Sequence, residues 1–144
     1  MLGIDQGKEI KLQDAVYLYM PLIPSLSGKG KMSSSEQGSF ISIRDSKEAI
    51  KKKVNKAYCK KGEVVNNPIL AIMRLVIFPK FEKIEIKRNK EFGGSLNFNS
   101  YKDVEQAFES GKIHPVDLKN TVVDYLEKII APLRRGWKWL SKIK

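Results

Sequence analysis

The chain has 144 residues, 42% hydrophobic and 30% charged, with 27 Lys and Arg against 16 Asp and Glu for a net charge of +11. This length suits one domain or two small ones, and no apolar run is long enough to span a bilayer. The only cysteine, Cys59, excludes an internal disulfide, and the only histidine, His114, argues against a histidine-built metal site. Acidic residues among the first twenty argue against a secretory signal peptide, so we expect a cytoplasmic protein.

The basic excess indicates the kind of partner. A net charge of +11 favours a polyanion, and nucleic acid is the commonest polyanion that proteins bind. The alternative is a lysine-rich surface with no such partner, because runs such as Lys51-Lys52-Lys53 often only solvate a helix face.

The first stretch of the chain predicts mixed local structure. Residues 1–7 are typical of the end of a strand and a turn, and residues 8–20 of a helix. Pro21 and Pro24 end that helix, since proline cannot continue the hydrogen-bond ladder. Apolar residues within 22–26 predict a short buried segment that leads into a loop.

The loop from Gly28 to Ser35 combines two glycines, two lysines and three serines. Flexible backbone, positive charge and hydroxyl donors are suited to closing over phosphate charge during phosphoryl or adenylyl transfer. The chain contains neither a Walker spacing nor a Gly-x-Gly-x-x-Gly element. Composition alone therefore favours a solvated linker over a phosphate-binding loop.

A strand and a helix are predicted after the loop. Residues 40–43 alternate in polarity, which indicates a brief strand. Asp45 with Glu48 three residues on predicts the start of a helix, which the turn at residues 60–62 ends. One apolar face follows at helical spacing, formed by Ile50, Val54, Ala57 and Tyr58.

A buried helix and a hairpin are predicted next. Asn67 supplies a helix cap and Pro68 the first helical residue. Residues 69–78 are apolar nearly all round, so this helix is expected to be mostly buried, and Pro79 ends it. Residues 84–86 and 96–98 alternate on either side of Gly93-Gly94, which predicts a β-hairpin.

Two further helices complete the chain. Ser100 and Asp103 predict the start of one that Gly111 ends, and His114-Pro115 the start of another. Pro132 and Gly136 are expected to break this last helix before a basic tail that carries Trp137 and Trp139. These two tryptophans could pack on the bundle or contact RNA, and we expect packing. From residue 45 onward the pattern predicts a helical bundle with one inserted hairpin, and residues 1–44 resemble the closing piece of a larger unit.

The loop sequence Lys31-Met32-Ser33-Ser34-Ser35 resembles the KMSKS signature of class I aminoacyl-tRNA synthetases, in the KMSSS form of archaeal and eukaryotic tyrosyl-tRNA synthetases. Further motifs match that family in order and approximate spacing over roughly residues 3–136. They are Ala57-Tyr58-Cys59, Val65-Asn66-Asn67-Pro68, Phe92-Gly93-Gly94, His114 to Asn120 and Pro132-Leu133-Arg134. Each motif alone is weak, but several in register are specific.

The resemblance implies a mainly α fold, in which a helical anticodon-binding domain with a small β-hairpin (45–144) follows the closing fragment of a Rossmann-type α/β catalytic domain (1–44). The family's early catalytic strands and HIGH-like signature have no counterpart here, so we expect the C-terminal part of such an enzyme. The intact enzyme would use ATP, with Mg²⁺, to activate tyrosine, would transfer it to tRNA(Tyr), and would form a homodimer. The chain alone is expected to be inactive.

The resemblance also assigns catalytic residues. Lys31, Met32, Ser33, Ser34 and Ser35 match the loop that binds the ATP phosphates. Gln6, in Gly3-Ile4-Asp5-Gln6, matches a glutamine that contacts the tyrosine substrate, although this chain has Gly7 where the family usually has arginine. No metal ligand and no bound cofactor are expected.

Four residues match the family's anticodon site. Phe92 matches an aromatic that stacks on the first anticodon base, a guanine, and Asp117 an aspartate that recognises its Watson–Crick edge. His114 matches a residue near that base, and Lys119 would contact a phosphate. The alternatives are that Phe92 packs on the hairpin, that His114 only caps a helix and that Asp117 only suits a helix first turn by its charge.

Two other functions remain open from the sequence. The chain could be a stand-alone RNA-binding module in which the loop has no catalytic partner. A fragment of a tryptophanyl-type synthetase is disfavoured, because the loop of that family usually has alanine where Ser34 stands and lacks the His-Pro-Val-Asp pattern.

Overall fold

The structure is a computed structural model that describes residues 22–32 and 38–140, the last three as backbone only. Its helices and strands, in chain order, are α1 (Lys47–Lys56), α2 (Pro68–Ile72), β1 (Ile84–Ile86), β2 (Leu96–Phe98), α3 (Tyr101–Glu109) and α4 (Pro115–Leu140). The predicted helical bundle with an inserted hairpin is confirmed. Among the described residues, no helix is long and apolar enough to cross a membrane.

The start of α1 lies one residue beyond the predicted cap. Ser46 is the cap, and its hydroxyl accepts a hydrogen bond from the Ala49 amide. Asp45 instead accepts from the Ser42 amide at 2.8 Å and pairs with Lys53 at 2.7 Å. Its carboxylate therefore fixes the turn that leads into the helix.

The predicted end of α1 is also wrong, because the helix ends at Lys56 rather than at residues 60–62. Ala57 is extended, and the Tyr58 amide donates to the Leu26 carbonyl at 2.7 Å. A tertiary hydrogen bond thus takes the chain out of the helix before its local stop signal.

The strand predicted at residues 40–43 is wrong. This stretch forms bends and a turn, in which the Asp45 amide donates to the Ser42 carbonyl at 3.1 Å. No strand pairs with it among the residues that the structure describes. An alternating pattern of four residues cannot form a strand without a partner edge.

The start of α2 is confirmed. The Asn67 side chain accepts from the amides of Ile69 and Leu70, and Pro68 is the first helical residue. The helix continues as one π-helical stretch, Met73–Ile77, which the sequence did not predict. This continuous element is largely buried and ends before Pro79, as expected.

The hairpin is confirmed with a defined register. Strands β1 and β2 are antiparallel, with Ile84 opposite Phe98 and Ile86 opposite Leu96. A single 3₁₀ turn, Lys90–Phe92, lies in the connection. The Glu85 amide donates to the Tyr125 hydroxyl at 3.0 Å, which ties β1 to α4.

The break predicted at Pro132 and Gly136 is wrong, since α4 continues through both residues. The guanidinium of Arg134 makes two hydrogen bonds to Glu127, at 3.0 and 2.9 Å, across the proline. Further on, the Arg44 guanidinium lies 4.5 Å from the centre of the Trp137 ring. These side-chain contacts flank Pro132, which removes one backbone hydrogen bond from the helix.

One apolar core joins the helices, the hairpin and the loop before α1. Its largest fully buried members include Phe108, Met73 and Leu118, from α3, the π-helical stretch and α4. Leu26, only 2% exposed, belongs to the same cluster. The segment before the loop is therefore packed on the helical bundle.

Candidate nucleic-acid interface

A groove lies between the hairpin turn and the N-terminus of α4, with a volume of about 750 Å³. Three residues that the sequence predicted as a site, Phe92, His114 and Asp117, line it together. They come from two segments about twenty residues apart along the chain, so the fold brings them to one place. The other residues that line the groove are Lys61, Arg88, Gly111, Lys112 and Val116.

Phe92 projects from the hairpin turn and is 70% exposed. It is the last residue of the 3₁₀ turn, and Gly93 follows in the left-handed conformation at φ +88°, which a residue with a side chain rarely adopts. A large aromatic ring left this exposed does not contribute to the hairpin's packing. It is available as a stacking surface for a base.

His114 and Asp117 lie at the start of α4. The Nδ1 atom of His114 accepts from the Val116 amide at 3.3 Å, and its carbonyl accepts from the Leu118 amide at 3.1 Å. His114 therefore caps the helix, as one alternative proposed, and this contact also orients its ring towards the groove. The Asp117 carbonyl accepts from the Thr121 hydroxyl at 2.8 Å, whereas the Asp117 carboxylate has no hydrogen bond or ion pair within the described part of the chain, so its oxygens remain available as acceptors.

Arg88 is a groove residue that the sequence analysis missed. Its Nε donates to the Gly94 carbonyl at 3.0 Å, and its Nη1 donates to the Lys112 carbonyl at 2.7 Å. The guanidinium thus joins the hairpin turn to the loop before α4. The sequence offers one signal for this role of Arg88: it follows a predicted strand and lies four residues before the aromatic Phe92.

The groove has an asymmetric charge. Lys61, Arg88 and Lys112 surround it, against the single acidic residue Asp117. Lys61 belongs to the turn at residues 60–62, for which the sequence predicts only the end of a helix. A groove lined by three cationic side chains and one carboxylate suits an anionic ligand that presents hydrogen-bond donors at one point.

Lys119 lies apart from the other predicted site residues. Its Nζ donates to the Asn55 carbonyl on α1 at 2.9 Å, and it is not among the residues that line the groove. The contact holds α1 against α4 close to Asp117. Lys119 can therefore reach only a part of a ligand that extends beyond the groove.

The predicted phosphate-binding loop is described up to Met32. Lys31 is exposed and pairs with Pro24 in an isolated antiparallel bridge, in which the Met32 amide donates to the Ile23 carbonyl at 3.0 Å. The Met32 side chain packs against the core. Ser33, Ser34, Ser35 and Gln6 lie outside the described residues.

Tyr58 anchors the loop to the bundle. A Cβ placed on Gly28, which has φ +77°, would lie 2.9 Å from the Tyr58 ring. The Tyr58 hydroxyl donates to Glu63 at 2.7 Å. This hydrogen bond raises the pKa of Tyr58 and lowers that of Glu63. The anchoring residue thus belongs to the segment that leads to Lys61 and the groove.

Neither a metal centre nor a reactive thiol is supported in the described part of the chain. It holds no group of three or more His, Cys, Asp or Glu side chains that could bind a metal. Burial raises the pKa of the Cys59 thiol and disfavours the nucleophilic thiolate. Cys59 packs against the core.

Comparison with known proteins identifies the class. Residues 1–131 match the family model described as tRNA synthetases class I (W and Y), and the chain belongs to this family. It is 42% identical to a tyrosine–tRNA ligase of Methanosarcina mazei, over 94% of this chain and 42% of the relative. It is 48% identical to that of Methanoculleus marisnigri, over 91% and 44%. The family inferred from the signature motifs is confirmed.

Solved structures of tyrosyl-tRNA synthetases support the same family assignment. A tyrosyl-tRNA synthetase from Archaeoglobus fulgidus, complexed with L-tyrosine, superimposes with a TM-score of 0.76 at 41% identity, covering 81% of this chain and 36% of that one. A Pyrococcus horikoshii counterpart gives a TM-score of 0.72 at 36% identity, covering 78% and 30%. The chain therefore spans less than half the length of the relatives it matches.

Proposed function

We propose that this chain supplies the phosphate-binding loop and the anticodon-recognition domain of a tyrosine–tRNA ligase. That enzyme activates tyrosine with ATP, bound with Mg²⁺, and transfers the tyrosyl group to tRNA(Tyr). The observation that carries the proposal is the groove in which Phe92, His114 and Asp117 meet. The similarity to tyrosine–tRNA ligases over most of the chain supports it.

The groove suits recognition of an unpaired guanine. A base from a single-stranded loop stacks on the exposed ring of Phe92, which gives affinity without selecting a base. The Asp117 carboxylate accepts from N1–H and N2–H, the donor pair that guanine alone presents on its Watson–Crick edge. His114 borders the base, and Lys119 contacts a neighbouring phosphate. Specificity then comes from Asp117 and affinity from Phe92 and the three cationic side chains that line the groove.

The loop serves the chemical step. In this proposal Lys31 neutralises charge on the ATP phosphates, and Ser33, Ser34 and Ser35 supply hydroxyl donors. Met32 anchors the loop on the core, which limits where Lys31 can move. Gln6 contacts the tyrosine substrate. The division into a catalytic remnant (1–44) and an anticodon-binding domain (45–144), action as a homodimer and a cytoplasmic location are parts of the same proposal.

Binding of an anticodon stem-loop tests the groove. The probe is the tRNA(Tyr) anticodon stem-loop, carrying guanine or adenine as its first anticodon base, and fluorescence anisotropy measures its affinity for the 144-residue chain. We expect Phe92→Ala to weaken both complexes and Asp117→Asn to weaken mainly the guanine complex. Each loss should be about 1–3 kcal/mol.

Asp103→Asn is the matched control, because Asp103 also lies in the first turn of a helix but outside the groove. It should leave both affinities unchanged. Equal affinities for wild-type protein, Phe92→Ala and Asp117→Asn would contradict the proposed anticodon site.

A stand-alone RNA-binding module is the second candidate, favoured by the fact that the whole groove is built within this chain. Both candidates predict RNA binding, so the loop distinguishes them. If the ligase proposal is correct, Lys31→Ala in a full-length enzyme that contains this chain abolishes tyrosine-dependent ATP–pyrophosphate exchange. The isolated chain should show no exchange, and turnover by it would contradict the assignment of the catalytic site to a larger unit.

A further inference from the structure

Arg88 lines the groove and forms hydrogen bonds to both of its walls. It holds the carbonyl of Gly94, in the hairpin turn, and the carbonyl of Lys112, in the loop before α4, at 3.0 and 2.7 Å. Among the residues that the structure describes, no hydrogen bond joins residues 89–95 directly to residues 110–117. The guanidinium of Arg88 therefore supplies the hydrogen bonds that link the two walls of the groove.

The turn also lies directly on this guanidinium. A Cβ placed on Gly93 would be 3.4 Å from Nη2 of Arg88. Phe92 precedes Gly93, and Lys112 precedes His114 by two residues, so each end of the arginine contact adjoins a groove wall. A substitution at Arg88 would therefore change the distance between Phe92 and Asp117 while leaving the two side chains themselves unchanged.

The distance between Phe92 and Asp117 matters because the two walls of the groove bind a base by different interactions. Stacking on an aromatic ring tolerates any base and some lateral displacement. Hydrogen bonds from a base edge to a carboxylate require a donor–acceptor distance near 3 Å and good alignment. A base stacked on Phe92 can reach Asp117 with its edge only if the walls keep a fixed separation.

We propose that Arg88 is a positioning residue that sets base discrimination in this groove, by fixing the distance from Phe92 to Asp117. The inference rests on the proposed function, since it concerns how the same groove distinguishes guanine from adenine. Arginine suits this role because its planar group presents Nε and Nη1 to two carbonyls at once, whereas a lysine ammonium is a single point on a flexible stem.

Arg88→Lys is the main test, because it keeps the charge and removes the bridge. We expect the guanine stem-loop to bind 5- to 20-fold more weakly, while the adenine stem-loop changes by less than about threefold. Arg88→Gln, which retains one hydrogen bond, should give an intermediate ratio. Arg135→Lys, an exposed arginine outside the groove, is the matched control and should leave the ratio unchanged.

A double-mutant cycle shows whether Arg88 acts through Asp117. In an Asp117→Asn background the edge contact is already lost, so adding Arg88→Lys should cause less than a twofold further loss of guanine binding. Coupled residues give this non-additive result, and independent ones give additive losses. Thermal unfolding of each variant, with and without RNA, identifies any loss of folded protein.

Each outcome decides the proposal. A wild-type guanine preference that Arg88→Lys leaves intact overturns the inference and leaves the proposed function standing. Equal losses for both stem-loops, with a lower salt dependence, would show that Arg88 only contacts phosphate and would also overturn it. A wild-type protein with no guanine preference overturns the proposed function and this inference together.

Discussion

The groove and the loop are held in place by different kinds of contact. Side chains organise the groove: Arg88 joins its two walls, and His114 both caps α4 and borders the cavity. Backbone hydrogen bonds organise the described part of the loop, through the carbonyls of Ile23, Leu26 and Gly30. In the groove His114 thus both anchors a wall and borders the cavity, whereas in the loop the anchoring backbone groups differ from the exposed side chain of Lys31.

This difference has a consequence for mutation. In the groove, changing a structural residue changes the proposed recognition directly. In the loop, Lys31 extends into solvent, while Gly28 and Met32 fix the backbone. The two regions also share one connection, the segment from Tyr58 to Asn67, which contacts Gly28 at one end and lines the groove with Lys61.

The largest expected effect comes from Asn67, which holds that shared segment. Asn67 is 2% exposed, accepts from two helix amides, and donates to the Glu63 carbonyl at 2.9 Å. Asn67→Ala removes the cap and leaves buried groups without partners, so we expect about 2–3 kcal/mol less unfolding free energy in urea titrations. Asn97→Ala, exposed on β2, should change it by less than about 0.5 kcal/mol. Similar losses would contradict a role for Asn67 in joining the regions.

Gly28→Ala tests whether the loop is docked on the bundle. Gly28 and Gly30 both have positive φ, but only Gly28 has a neighbour, the Tyr58 ring, where a Cβ would lie. We expect Gly30→Ala to lose about 1 kcal/mol from backbone strain and Gly28→Ala about 2 kcal/mol from strain and the clash with the ring. Thermal unfolding measures both. Equal losses would mean that the ring moves aside and that the docking is weak.

Arg134→Met tests the long terminal helix. Hydrogen bonds from Arg134 hold the pKa of Glu127 below its ordinary value of 4.5. A lowered folded pKa means that the pair stabilises the protein above the ordinary value and loses this effect as pH falls through the folded one. We expect about 1–2 kcal/mol lower stability at pH 7 and convergence with wild-type protein at acidic pH. Arg135→Met, its exposed neighbour, should match wild-type protein at both pH values.

The smallest expected effect is at Lys119, outside the groove. If it contacts phosphate, Lys119→Met should weaken stem-loop binding about two- to fivefold and reduce the slope of log affinity against log salt by about 0.7. Stability should change by less than about 0.5 kcal/mol, since the contact with Asn55 is exposed. Lys102→Met, on the exposed face of α3, is the control. An unchanged salt slope would mean that Lys119 does not contact phosphate and serves only to join α1 and α4.

Local signals predicted most helices and the hairpin. Asn67-Pro68 and Ser100 marked helix starts, and Gly93-Gly94 marked a turn, because capping and positive φ are properties of a few neighbouring residues. Local signals failed at the strand predicted for residues 40–43, at the two ends of α1 and at the break predicted within α4. Residues 40–43 lacked a partner strand, and α4 passed Pro132 because Arg134 and Glu127 bind across it. Both outcomes depend on contacts that no short window of sequence contains.

The candidate site divides in the same way. The sequence alone determined the basic charge, the family and the residue types that suit base recognition, since these follow from composition and motif order. The tertiary structure decided that Phe92, His114 and Asp117 share a groove, that Lys119 lies apart, and that Arg88 joins the walls. The physical reason is that a hydrogen bond between residues 88 and 112 forms only after the hairpin and α4 have packed on the same core.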